Sequence, residues 1–157
     1  PPHVLSPLLL FAASRFPGKP CLADLQFVPM SKKKNSYAEQ AKFFIYVTSS
    51  FRTSSNVGGA IVKPATRSNH MAGHAIDMNV IYKNGYKSAN STELGKYPSV
   101  AEPVRIFIKS IIDDPARRWG GNFQARDPVH IDDNLNQDMA GWDKRYQAMQ
   151  KAVQLGG

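Results

Sequence analysis

Residues Ser68–Asp77 read SNHMAGHAID, and the chain continues MNVIY to Tyr82. After Gly73 the residues alternate. Ala75, Asp77, Asn79 and Ile81 share one face, and His74, Ile76, Met78, Val80 and Tyr82 share the other, the period of two that marks a β-strand. Asp77 is a carboxylate in a strand dominated by apolar side chains, a costly placement unless it is paired or bound to a metal. His70 lies seven residues before it, too far for one helical turn. Gly73 supplies the backbone freedom for a loop that doubles back and brings His70 and Asp77 to one point.

Outward from this strand the chain reads as a mixture of helices and strands. Phe43–Ser49 is aromatic and β-branched, a second strand, preceded by a short helix ending near Lys42. Asn56–Gly59 reads as a turn, and Asn84-Gly85 as a hairpin turn. In the helix predicted over 99–113, Ser99 and Glu102 have the spacing of a capping box. Val104, Phe107, Ile108 and Ile111 form its apolar stripe. Val129–Asp132 is a short strand after a Gly-rich loop. The tail is an amphipathic helix with Trp142, Tyr146, Met149 and Val153 on one face. Strands and helices mix without βαβ regularity, which predicts an α+β fold.

The chain has 157 residues, the size of one domain with a real core. Residues 1–35 read as a Pro-rich extension, with one short helix around Pro7–Arg15 and a solvated charge run at SKKKN, and residues 36–157 as the functional domain. The apolar run VLSPLLLFAA is interrupted by Pro7 and is too short to span a bilayer; it reads as a buried element. The sequence begins at Pro1 with no Met, as a trimmed or processed chain does. Its net charge of +8 favours acidic partners, among them the anionic polymers of a bacterial envelope. There is no zinc-finger spacing, no RNA-binding signature and no aromatic-interleaved basic stripe, which argues against a nucleic-acid protein or a metal nuclease. Cys21 is the single cysteine, so a four-thiolate zinc site is excluded and any metal is held by His and carboxylates.

The histidines outside the opening stretch are His3 and His130. His130, after the Gly-rich loop, is the third ligand candidate. Two imidazoles and one carboxylate leave a fourth zinc position open for water, the arrangement of a catalytic site rather than a structural one. Asp127, three residues before His130, is within reach as a general base. Asp132 shares His130's face and can hold its outer ring nitrogen. His74 has the parity of Ile76 rather than Asp77, against a ligand role, and Asp133 reads as solvated. Each residue also has an ordinary structural reading: His70 as a core histidine, Asp77 as a strand-end carboxylate, Asp127 as the start of a turn before Pro128.

Jointly, Ser68-x-His70-x-x-Gly73-x-Ala75-x-Asp77, then Trp119-Gly120-Gly121 and Asp127-x-x-His130, resemble the D-alanyl-D-alanine carboxypeptidase family of zinc peptidases. That family includes VanY-like carboxypeptidases, VanX-like dipeptidases and phage L-alanyl-D-glutamate endolysins. YVTSSFRT upstream is similar to the family's strand ending in a functional arginine, and the resemblance runs roughly from Tyr37 to Asp132. It implies a hedgehog/DD-peptidase-like fold, with a central antiparallel sheet flanked by helices. It implies one Zn2+ held by His70, Asp77 and His130, Asp127 as base and proton donor, and Arg52 on the scissile carbonyl or a substrate carboxylate. It further implies that Ser68 bonds substrate or orients His70, and that Trp119 walls the cleft.

The implied function is hydrolysis of peptidoglycan stem peptides in the bacterial periplasm or wall, by a carboxypeptidase or an endopeptidase. The alternative is a non-catalytic module of the same fold that binds peptidoglycan or a protein; the carboxylate retained at Asp127 favours the enzyme. Wall remodelling, phage lysis and an antibacterial toxin are all compatible settings, the last implying an immunity or delivery protein. The polar segment from Asn84 to Ser99 is expected to form a cleft rim.

Overall fold

The computed structural model describes residues 9–11, 21–23, 43–52, 67–83 and 87–156. Strands β1 (Leu9–Phe11) and β2 (Cys21–Ala23) pair antiparallel, Leu10 opposite Leu22. The helix expected around Pro7–Arg15 is therefore corrected at Leu9–Phe11, where cross-strand pairing overrides a weak local helix preference. The helix expected to end near Lys42, the SKKKN run, the Asn56–Gly59 turn and the boundary between residues 35 and 36 lie outside the described residues.

The main sheet is antiparallel and centred on β4 (Ala75–Tyr82). β3 (Phe44–Ser49) covers one edge of β4, with Ile45 opposite Val80 and Val47 opposite Met78. The other edge is shared lengthwise. β5 (Lys87–Ala89) pairs with Val80–Tyr82, and β7 (His130–Asp132) pairs with Ala75–Asp77. β6 (Arg118–Trp119) closes the far side of β7. The strands flanking Asn84-Gly85 pair as that hairpin signal requires; the turn residues themselves are not described.

Alternation along β4 sorts the two faces. Ile76, Met78 and Val80 are buried with Ile45, Val47, Ile131 and Trp119 against helix α2 (Glu102–Ile112). The helix contributes the predicted stripe of Val104, Phe107, Ile108 and Ile111, all fully buried. Its start differs from the expected capping box. Ala101 is the N-cap, it makes no side-chain cap bond, and Pro103 lies in the first turn. Proline's fixed φ favours that first turn, and Ser99 falls outside it, in a bend where its N–H donates to the Lys96 carbonyl. A short helix α1 (Ser91–Leu94), capped by Asn90, buries Leu94 beneath the same core.

Helix α3 (Met139–Gly156) packs on the other side of the ligand-bearing loop. Trp142 and Met149 are buried and Tyr146 stacks on Trp142, following the stripe read from the sequence; Val153's side chain is not described. Trp142 packs on Met71 and Ala72, and its indole N–H donates to the Ser68 carbonyl at 3.2 Å.

Phe107 sits at the centre of the core, edge-on to Phe43 at 5.0 Å. Phe107→Ala is expected to lower unfolding stability by about 3–5 kcal/mol, measured by urea denaturation.

Candidate metal centre

His70 sits in a single 3-10 turn, Asn69–Ala72. Ser68 starts it, its Oγ accepting from the His70 N–H at 3.3 Å. Gly73 ends it in the left-handed conformation, φ 74°, the bend that a doubling-back loop demands. The chain then enters β4, and the register sets Asp77 directly opposite His130 on β7. This single cross-strand pair, plus the bend, assembles the cluster.

His70 Nε2, His130 Nδ1 and Asp77 Oδ1 converge. The two nitrogens are 3.1 Å apart, and the carboxylate oxygen is 3.1 Å from His70 and 3.2 Å from His130. A tetrahedral zinc with ordinary bond lengths separates its ligand atoms by about 3.3 Å, so the spacing fits a single ion. The outer nitrogens fit as well. His70 Nδ1 donates to the Ser50 carbonyl at 2.7 Å, and His130 Nε2 donates to Asp132 Oδ2 at 3.0 Å. With both outer nitrogens committed as donors, the inner ones offer lone pairs, as metal ligation requires. Both rings are buried, and the three residues form a cluster able to coordinate one metal ion.

Asp132 is itself held firmly. Arg118 donates to it twice, at 2.8 and 2.7 Å, Asn69 Nδ2 once at 3.0 Å, and the Asn134 backbone N–H once at 3.0 Å. Sequence reasoning found Asp132 but missed Asn69 and Arg118. Asn69 adjoins His70 and is the one of the two that the motif itself placed nearby. Arg118 meets Asp132 only through the pairing of β6 with β7.

The titration of the cluster follows from this geometry. Burial works against a charged Asp77, but hydrogen bonds to His130 and His70 outweigh it and hold the carboxyl far below the ordinary range. Burial likewise opposes charge on His130, but the bonds to Asp132 and Asp77 raise its pKa to about 9. Asp132 is lowered by His130 and Arg118 against the cost of its own burial.

Arg52 follows β3, and its backbone N–H donates to the His70 carbonyl at 3.2 Å. Its Nε is buried without a hydrogen-bond partner among the described residues. Burial lowers its pKa, while Asp77 and Asp127 act to raise it, so the guanidinium lies within electrostatic reach of both. Asp127 is half-buried. Burial, then the Asp77 charge, pushes its carboxyl above the usual aspartate range, with His130, His70 and Arg52 opposing. The Asp127 N–H donates to the Gly120 carbonyl at 2.8 Å, and the His130 N–H to the Asp127 carbonyl at 3.0 Å. A Cβ at Gly120 would collide with that Asp127 carbonyl and lie 2.9 Å from the His130 Cβ. Glycine is required there for the loop to close on the ligand strand.

Two expectations change on the structure, those for Trp119 and Asp133. Trp119 lies opposite Ile131, on the core face of the sheet, with 3 % of its surface exposed. Its indole donates to the Pro128 carbonyl at 2.7 Å, so it anchors the loop beneath Asp127 rather than walling the cleft. Ser68 is buried in its capping bond, the geometry of a residue that orients His70. Asp133, expected in solvent, pairs with buried His74 and accepts from the Leu135 N–H. That pair ties the end of the His70 turn to the end of the His130 strand. In the segment expected as a rim, Gly95 accepts from Arg126 Nη2 at 2.9 Å, which joins it to the Asp127 loop. Phe123 lies against the His130 ring at 5.7 Å and under the Arg118 guanidinium at 4.7 Å.

A buried His/Asp/His cluster with nitrogen and oxygen donors, set on an antiparallel sheet flanked by helices, defines the class: a centre able to hold one metal ion. The chain matches the family model described as D-alanyl-D-alanine carboxypeptidase over residues 62–133, which span His70, Asp77, Asp127 and His130 and begin after Arg52. No curated protein matches the chain. The match and the triad together support a metal-activated peptidase that hydrolyses peptidoglycan, with one Zn2+ site. Among the described residues no helix is long and apolar enough to cross a membrane.

Two outcomes follow for metal binding. Asp132→Asn is expected to weaken zinc binding by about 10–100-fold, read by competition with a chromophoric chelator. Because the His130 pKa lies above its ordinary value, at neutral pH zinc must displace a proton from the metal-free protein. Zinc affinity should therefore rise with pH, by up to about one decade per unit, and level off above about 9.

Proposed function

We propose that residues 36–157 form a zinc peptidase that cleaves stem peptides of the bacterial wall, with Asp127 as proton carrier and Arg52 as anion partner. The observation that carries this reading is the His70/Asp77/His130 cluster able to hold one ion, with Arg52 and Asp127 near enough to feel the Asp77 charge. Zinc held by His70, Asp77 and His130 supplies a Lewis acid that polarises a carbonyl and acidifies water.

The protein's own groups account for the rest. Asp127, raised by burial, is a stronger base than a solvated aspartate and takes the proton of the attacking water. The water oxygen bonds to the carbonyl carbon, the C–N bond breaks, and the same proton passes from Asp127 to the leaving amine. Arg52, partly desolvated and with an unpartnered Nε, donates to the developing oxyanion or to a substrate carboxylate. Ser68 keeps His70 in place through its capping bond. Such a substrate implies action outside the cytoplasm, in the periplasm or wall, and the excess of positive charge suits an anionic sacculus.

The test is digestion of purified peptidoglycan, with released amino termini counted and the muropeptides identified by mass spectrometry. Zinc-loaded protein should release termini, a chelator should stop it, and Asp127→Ala should lower the rate by about 10²–10⁴-fold. Equal release by Asp127→Ala would remove Asp127 from the mechanism. Inert zinc-loaded protein would leave the non-catalytic binding role. The base works ionised, so kcat/KM should fall as pH drops through the Asp127 pKa. Burial places that acid limb above the ordinary aspartate value of about 3.9.

A further inference from the structure

The face of the sheet that carries Asp77 does not end at the metal cluster. β3 pairs Ser49 with Asp77 and Tyr46 with Asn79. A bulge between Val47 and Ser49 lets Tyr46 and Ser49, three apart in sequence, stand on the same side. Ile45, Val47, Met78 and Val80 all point into the core, so Tyr46 and Asn79 occupy the opposite face, the one Asp77 shares.

Tyr46 is 39 % exposed, and among the described residues it is the exposed large apolar side chain that lies on the sheet; Ile106, Ile112 and Met139 lie on helices. Asn79 is half-buried. Neither side chain has a hydrogen-bond partner among the described residues.

One same-face step along a strand is about 6.8 Å, which is also the advance of two residues in an extended peptide. A substrate that runs along β4 with its scissile carbonyl at the triad would lay a residue two positions away over the Tyr46–Asn79 pair. The chemistry of the pair suits a peptide. A carboxamide offers both a donor and an acceptor to a backbone N–H and C=O. A tyrosine ring adds apolar contact at low conformational cost and keeps a polar tip.

We infer that Tyr46 and Asn79 form a substrate subsite two residues from the scissile bond, so that the enzyme reads an extended stem peptide rather than an isolated dipeptide. This rests on the peptidase reading above and names the substrate class of the same site.

The test separates the two ideas. Zinc-loaded Asp127→Asn protein is titrated by calorimetry with a synthetic pentapeptide stem ending in D-Ala–D-Ala, and with the dipeptides from its two ends. The titrations are repeated with Tyr46→Ala, Asn79→Ala and, as a control on an exposed helical residue, Met139→Ala added. The subsite predicts that the ratio of pentapeptide to dipeptide affinity falls about tenfold with Tyr46→Ala and with Asn79→Ala, and holds with Met139→Ala. An unchanged ratio in both variants overturns it, as does failure of the parent protein to bind the pentapeptide. Hydrolysis of the pentapeptide by protein with Asp127 intact is scored in parallel. Binding that depends on the pair without cleavage keeps the subsite and removes the activity. Cleavage with an unchanged ratio keeps the activity and removes the subsite.

Discussion

The rest of the structure depends on the antiparallel pairing of Asp77 with His130. It brings a carboxylate and an imidazole from distant parts of the chain into one buried space, and the Gly73 bend adds His70. Three lone pairs 3.1–3.2 Å apart repel one another unless a cation lies among them. The cation can be a proton or a metal ion, and the outer hydrogen bonds decide what the site presents to it. The Ser50 carbonyl and Asp132 take the ring N–H groups that would otherwise point inward.

Asp132 illustrates the condition on which a buried charge is tolerated. Alone, its carboxylate would be strongly destabilising at 1 % exposure. The fork of Arg118, the Asn69 amide, the Asn134 N–H and His130 satisfy its oxygens, so the charge becomes a rigid mount for the His130 ring. The opposite wall is braced from the far end of the chain, where Trp142 covers the turn that carries His70. Supports from β6, β7 and α3 thus meet around a turn of four residues.

The alternation that builds the core also exposes the chemistry. Ile76, Met78 and Val80 turn toward α2 and leave Asp77 and Asn79 on the opposite face, so a well-packed core and a precisely aimed polar face are one requirement. Trp119 obeys the same rule: it is in the core because Arg118 is on the polar face with Asp132. The bulge in β3 is the local exception, and it keeps Tyr46 and Ser49 in line with the metal-bearing row.

Some of this was legible in the residues alone. The alternation after Gly73, the stripe of Val104, Phe107, Ile108 and Ile111, the bend at Gly73 and the ligand types at His70, Asp77 and His130 depend on local period, backbone freedom and donor chemistry. What pairs with what was not legible. Ser99 has capping spacing, yet Pro103 and the Lys96–Ser99 bend set the helix start elsewhere. Leu9–Phe11 is a strand because Cys21–Ala23 lies beside it. The Arg118–Asp132 and His74–Asp133 pairs join residues 14 and 59 positions apart. The physical reason is register. A slip of one residue between β4 and β7 would put Asp77 and His130 on opposite faces without changing a letter of the sequence, and only the packed tertiary structure selects the register that holds.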